Sequence, residues 1–312
     1  MHRLFKLFVA LAMVVRAAHG QQITPERVAL GRALFDSTLL SRDGRHSCAT
    51  CHKPAQAFTD GQILASGING RVGQFNTPNP MASAFHALQF ANGRTIGASL
   101  QATQPLTNPN ELGNASVQQV LNRLRSVPYF RRKFAENYRS GLTAQTFGHA
   151  IQCFEASLLH TDAPIDKRMK GYEYALSEQA ERGFQIFQSV GCMNCHTYPT
   201  MTDGLFHNNG VIAATGDNDR GRVTIVPASQ RRPEHVRARK TPTLREIART
   251  APYTHKGRVP TLDGIVDGYS RGWSSDPNKD RRIQPLGLDA QQRADLVAFL
   301  LEGFSSPTFL GK

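Results

Sequence analysis

The chain has 312 residues, 37 of them lysine or arginine against 24 acidic, a formal charge of +13 at pH 7, and 40% hydrophobic residues. Such a length permits two domains. The basic balance brings no nucleic-acid recognition motif or regularly placed aromatics, which argues against a nucleic-acid partner, and nothing after the first twenty residues reads as a membrane span.

In chain order, Arg3 and Lys6 precede an apolar run from Leu7 to Val15 and small residues ending Ala18-His19-Gly20. This predicts a cleaved signal peptide over residues 1–20, because the run falls short of the about 20 residues that span a bilayer. The mature protein is then periplasmic, with no membrane span, and keeps 34 basic and 24 acidic side chains. Thr24-Pro25-Glu26 reads as an N-cap with proline in the first turn, opening a helix to about Phe35. Helices are predicted at about 116–125, 128–138 and 143–160. The last holds Cys153 in phase with Ala150 and Phe154, as a buried thiol. Thr161 to Ala175 reads as an interdomain connection, and Ser177-Glu178 opens the next helix. Arg231-Arg232, Arg237, Arg239 and Lys240 form a dense basic stretch, either a solvated loop or a docking patch for an acidic redox partner. Helices at about 261–270 and 289–302 complete the chain.

Two copies of C-x-x-C-H stand out, Cys48-Ala49-Thr50-Cys51-His52 and Cys192-Met193-Asn194-Cys195-His196. This spacing lets one short loop form two thioethers to a haem and places the next histidine under the iron. A dithiol redox site, a zinc ribbon or a pair of disulfides would use the cysteines but leave both histidines unexplained. A ribbon also wants its pairs roughly 15–20 residues apart, whereas Cys51 and Cys192 lie 141 positions apart. The reading is two covalent haem c groups and no structural disulfide.

The motifs belong to a repeat. Gly31-Arg32-Ala33-Leu34-Phe35-Asp36-Ser37 precedes the first and Gly183-Phe184-Gln185-Ile186-Phe187-Gln188-Ser189 the second; Thr59-Asp60-Gly61 and Thr202-Asp203-Gly204 follow them. The predicted fold is mostly α, two cytochrome c-like haem domains with long irregular loops, at 21–164 and 165–312.

With Asn92-Gly93-Arg94 through Gln101, Pro105 and Asn108-Pro109-Asn110-Glu111, then Lys240-Thr241-Pro242-Thr243-Leu244-Arg245 and Ala251-Pro252-Tyr253-Thr254-His255, the mature chain resembles the bacterial di-haem cytochrome c peroxidase superfamily, which includes MauG. The resemblance implies peroxide handled at the first haem and electrons passed through the second. It assigns Glu111 as acid/base, Gln101 as positioning peroxide and Pro105 as lining the pocket. It places Tyr269, fourteen residues after His255, where ordinary peroxidases have a methionine ligand; no methionine follows Met201. His52, His196 and Tyr269 are thus the expected iron ligands, with Tyr269 MauG-like; His255, the runner-up ligand to Tyr269, is expected instead to structure the interface loop. The family's interdomain calcium maps onto Asn76, Thr250 and Pro252.

One point on which family members differ and one departure from the family matter. No histidine lies between Lys53 and Phe85 to close the first iron, and His86 reads as a packed helix-face residue. The family's tryptophan between the haems is replaced by Ala91, the only tryptophan being Trp273. The expected function is a periplasmic di-haem oxidoreductase reacting with hydrogen peroxide, partnered by a small redox protein (cytochrome c or cupredoxin) or a protein substrate. The alternatives are a non-catalytic di-haem electron carrier and a MauG-type protein-modifying oxidase.

Overall fold

The computed structural model describes residues 22–309; the predicted signal peptide lies outside them. Helices dominate, joined by irregular segments and two two-stranded antiparallel ladders, Leu88–Gln89 with Thr95–Ile96 and Phe206–His207 with Arg239–Lys240.

The repeat is visible as two helix crossings. Thr24 Oγ1 accepts from Arg27 N at 3.3 Å to start the helix Pro25–Phe35, and Ser177 Oγ accepts from Ala180 N at 3.3 Å to start Glu178–Ser189. The first packs across Ala144–Ser157 and the second across Ala290–Glu302. Each crossing depends on the repeat's glycine: a Cβ on Gly31 would stand 2.0 Å from the Ala150 carbonyl oxygen, and one on Gly183 2.0 Å from that of Asp295. Only hydrogen lets the backbones touch there. Phe35 and Phe187, four residues on, share the glycine's helix face and are buried in the two cores.

The first core gathers Leu34, Phe35, Phe58, Phe134, Phe147 and Phe154, and the second Phe184, Phe187, Val266, Leu296, Phe299 and Phe304. The chain's end returns to the first core: Phe309 packs edge-on to Phe58 at 6.2 Å between centroids.

Helices Val117–Ser126, Pro128–Asn137, Leu262–Ser270 and Ala290–Glu302 lie within a residue or so of expectation. Ala144–Ser157 stops short of the predicted 160, with Leu158 as its cap. The predicted connection also holds a helix, Pro164–Met169. Asp166 Oδ2 accepts from Ala163 N at 2.9 Å, and Arg245 grips the same carboxylate at 2.6 and 2.8 Å. Both partners are buried, and Ala163 and Ile165 join the second core. A long-range ion pair therefore fixes a segment whose local sequence reads as linker. His86 likewise departs from expectation: it follows the single turn Ser83–Phe85 and lies on no helix. Cys153 is fully buried as expected, and burial pushes its thiol up to about 11.

Candidate haem sites and the junction between them

At the first motif, the short helix Cys48–Cys51 carries both cysteines on one turn, ending at His52. His52 Nδ1 lies 2.9 Å from the Phe58 carbonyl oxygen; at the second motif His196 Nδ1 lies 3.1 Å from that of Met201. This contact fixes the tautomer in which Nδ1 carries the proton and Nε2 is left for a metal. A second carbonyl bears on each ring, Pro78 on His52 and Pro242 on His196. Thr77-Pro78 and Thr241-Pro242 are thus a further element of the repeat, readable in the sequence but missed there.

The cysteines form no disulfide. Burial pushes the Cys48 and Cys192 thiols up to about 12 and Cys51 up to about 11. A dithiol redox centre needs the opposite shift, since the thiolate is the reactive form. Paired neutral thiols beside an oriented imidazole fit covalent haem at both motifs.

Around the first motif, Glu111 Oε1 accepts from Asn108 Nδ2 at 2.6 Å, while its charge acts on both Cys48 and Cys51. Burial raises the Glu111 carboxyl above the usual range, against the opposing pull of Asn108 and the Arg94 guanidinium. Gly67 packs against this turn so closely that a Cβ would stand 1.9 Å from the Asn110 carbonyl oxygen. The Pro105 carbonyl accepts from Leu112 N at 3.3 Å, joining Pro105 to the Glu111 turn. Gln101 ends the helix Ala98–Gln101, half-buried, and its side-chain amide has no hydrogen-bond partner among the described residues. Arg94, part of the block that carries the resemblance, lies over the Phe90 ring at 3.3 Å and bears on Glu111.

Tyr269, on the helix Leu262–Ser270, faces the second motif: both Cys192 and Cys195 act on its hydroxyl, which burial pushes up to about 12. Asn209 Nδ2 donates to Tyr269 Oη at 2.9 Å, and Trp273 stacks edge-on at 5.7 Å. Nearby, His207 is held between Asp203 and Asp280, each at 2.9 Å. Neither Asn209 nor His207 was singled out by motif reading.

Between the motifs, Lys240 N donates to the Ala91 carbonyl at 2.8 Å, Lys240 Nζ to Leu88 O at 2.8 Å, and Arg222 to Asn92 O at 3.0 Å. Ala91 is exposed. Phe206, under the Arg222 guanidinium at 4.1 Å, fills the space beside Gly93, where a Cβ would meet its ring at 2.4 Å. His255 lies in the interface: its carbonyl accepts from Asn76 N at 3.0 Å, and its Nε2 is 3.2 Å from Asp217. Asn76 thereby abuts the loop containing Thr250 and Pro252. In the basic stretch, Arg237 pairs with Asp276 at 2.8 Å and Arg239 with Asp219, leaving Arg231 and Arg232 exposed.

Residues 25–174 match the family described as di-haem cytochrome c peroxidase, and residues 180–303 match cytochrome c. The chain is 35% identical to the methylamine utilization protein MauG of Methylorubrum extorquens over 281 residues, 89% of this chain and 78% of that one. The chain belongs to the di-haem cytochrome c peroxidase family. It is 32% identical to the cytochrome-c peroxidase IdrP2 of Denitromonas iodatirespirans, covering 94% of this chain and 89% of the relative. Its fold overlays a MauG-like protein associated with microbial copper homeostasis with TM-score 0.82 and 28% identity, over 93% of this chain and 92% of that one. It is accordingly a mostly helical, two-domain, haem c-dependent oxidoreductase of the peroxidase type, which sets the passive-carrier reading aside.

Proposed function

We propose that this protein reacts with hydrogen peroxide at a haem held by the unit of residues 21–164 and exchanges electrons through a haem held by residues 165–312, in the periplasm after removal of residues 1–20. Glu111 carries the reading: a buried carboxyl, raised above its ordinary range, anchored through one oxygen and acting on the first pair of haem cysteines. When bound, haem c supplies an iron that binds peroxide and stores oxidising equivalents.

The chain's own parts are these. Cys48 and Cys51, then Cys192 and Cys195, form the thioethers; His52 and His196 present Nε2 to the irons. Glu111 holds or moves a proton at Oε2 while Asn108 restrains Oε1, as general acid/base catalysis of O–O cleavage requires. Gln101 offers its unengaged amide to orient peroxide, and Pro105 bounds the pocket. Tyr269 offers a phenolic oxygen to the second iron, with Asn209 stabilising its ionised form.

A tyrosine there favours a low-potential second site and, with it, a MauG-like use of the oxidising equivalents on a protein substrate over rapid reduction by a small cytochrome or cupredoxin. The carbonyl oxygens of Asn76, Thr250 and Pro252 accept no hydrogen bond among the described residues, which supports a calcium ion there, since calcium takes carbonyl ligands. The test is peroxide added to the fully oxidised holoprotein and to Glu111→Gln. The reading requires a fast reaction without prior reduction, and its loss in the variant; a wild type inert until reduced would overturn it.

A further inference from the structure

Glu155 lies on the Ala144–Ser157 helix with 7% of its surface exposed. Its Oε2 accepts a 2.6 Å hydrogen bond from the Ser83 hydroxyl. Two further groups face the carboxyl from other elements. Lys240, on the short strand Arg239–Lys240 of the second unit, acts on it through space while tethered to the Leu88 carbonyl. Cys48, on the short helix of the first motif, feels the Glu155 charge more strongly than that of Glu111. The crossing helices Pro25–Phe35 and Ala98–Gln101 bring no other charge to bear on it among the described residues. Beyond Lys240, His86 lies within reach of both Lys240 and Asp203, its two ring nitrogens buried without a hydrogen-bond partner. Titratable groups thus run from the first cysteine motif to the loop after the second.

The proposed function gives proton transfer to peroxide to Glu111 and leaves this second buried carboxyl unassigned. Burial moves it up to about 7 against the opposing pull of Ser83 and Lys240, and burial moves Lys240 down to about 8. A thioether does not titrate, so among the chain's own carboxyls Glu155 is the one most strongly felt at Cys48. An electron added nearby in a medium of low effective dielectric raises the proton affinity of such a carboxylate.

We propose that Glu155 is a redox-linked proton site, its carboxylate taking up one proton from solvent when one electron enters the first haem site and releasing it when that electron leaves. The balance is one electron from an external reductant and one proton from water: ferric becomes ferrous, carboxylate becomes carboxylic acid, and the buried charge is unchanged. Lys240, from the other unit, sets the pH at which this happens. The inference rests on the reading that Cys48 and Cys51 hold a haem.

The experiment is a spectroelectrochemical titration of both haems in the full holoprotein from about pH 5.5 to 8.5, for wild type, Glu155→Gln and Lys240→Met. The wild-type first haem should become harder to reduce with rising pH, approaching tenfold per pH unit (59 mV for one electron). That dependence should vanish in Glu155→Gln. In Lys240→Met, loss of the cation should move the inflection to higher pH. Dithionite reduction in weak buffer with an indicator dye should show about one proton fewer taken up by Glu155→Gln. An unchanged slope in folded Glu155→Gln overturns the proposal; should that variant not fold, an unmoved inflection in Lys240→Met does so. Absence of a first-haem wave would instead defeat the haem assignment, an outcome distinct from two waves with a pH-independent first.

Discussion

Asn209 donates its side-chain amide to the Tyr269 hydroxyl oxygen at 2.9 Å, from a loop sixty residues earlier in the chain. Burial opposes ionisation of this phenol and Asn209 favours it, so the amide eases the ionisation that the proposed phenolate ligation requires. Tyr269→Met should raise the reduction potential of the second haem and leave the first unmoved, since phenolate depresses potential and thioether raises it. Asn209→Leu should move it the same way by less. Redox titration followed by EPR reads both; an unaltered second-haem signal in Tyr269→Met reduces Tyr269 to a packing residue.

Glu111 titrates above ordinary carboxylates because its burial outweighs Asn108 and Arg94. To accept a proton it must be ionised, so the peroxide reaction should speed up as pH rises through that elevated value and level off above it. Glu111→Gln should abolish the limb and slow the reaction by about 10²–10⁴-fold, the usual loss with a general acid/base. Stopped-flow rates against pH test this, and a variant retaining the limb assigns it to another group.

The doubled motif predicts two haems that survive denaturation and acid-acetone extraction. Pyridine haemochrome assay should return two per chain, and Cys192→Ala should disturb only the second. A ratio of one defeats the two-haem assignment.

Gly31 and Gly183 occupy equivalent crossings with the same 2.0 Å clearance to a facing carbonyl oxygen. Alanine at either should force the helix pair apart and cost about 1–3 kcal/mol or more, lowering the melting temperature by several degrees. Melts of Gly31→Ala and Gly183→Ala check this, and a neutral effect at both would mean that the crossings adjust freely.

Features encoded by local spacing were legible in the sequence: the cysteine motifs, the Gly31/Phe35 and Gly183/Phe187 pairs, and the capped helices. The features with no local signature are carried by backbone or by distant partners. The Phe58 and Met201 carbonyls that orient the histidines have no residue signature. The Pro164–Met169 helix depends on Arg245, 79 residues from Asp166, and Phe309 closes the first core from the far end of the chain. Asn209 belongs to the same class, being recognisable only once Tyr269 is placed beside it. The neighbours of His86 suggest a helix face; the turn Ser83–Phe85 and the hairpin Leu88–Gln89 with Thr95–Ile96 flank it instead, and its ring lies against Gly204 of the other unit.

The most direct test of peroxide chemistry at the first motif is the combined optical and EPR spectrum of the fully oxidised holoprotein, before and after one equivalent of hydrogen peroxide. With no histidine between Lys53 and Phe85 to close the first iron, the resting protein should show a high-spin ferric component that disappears on mixing, with no reductant present. A wholly low-spin resting spectrum, unchanged by peroxide until one haem is reduced, would contradict it.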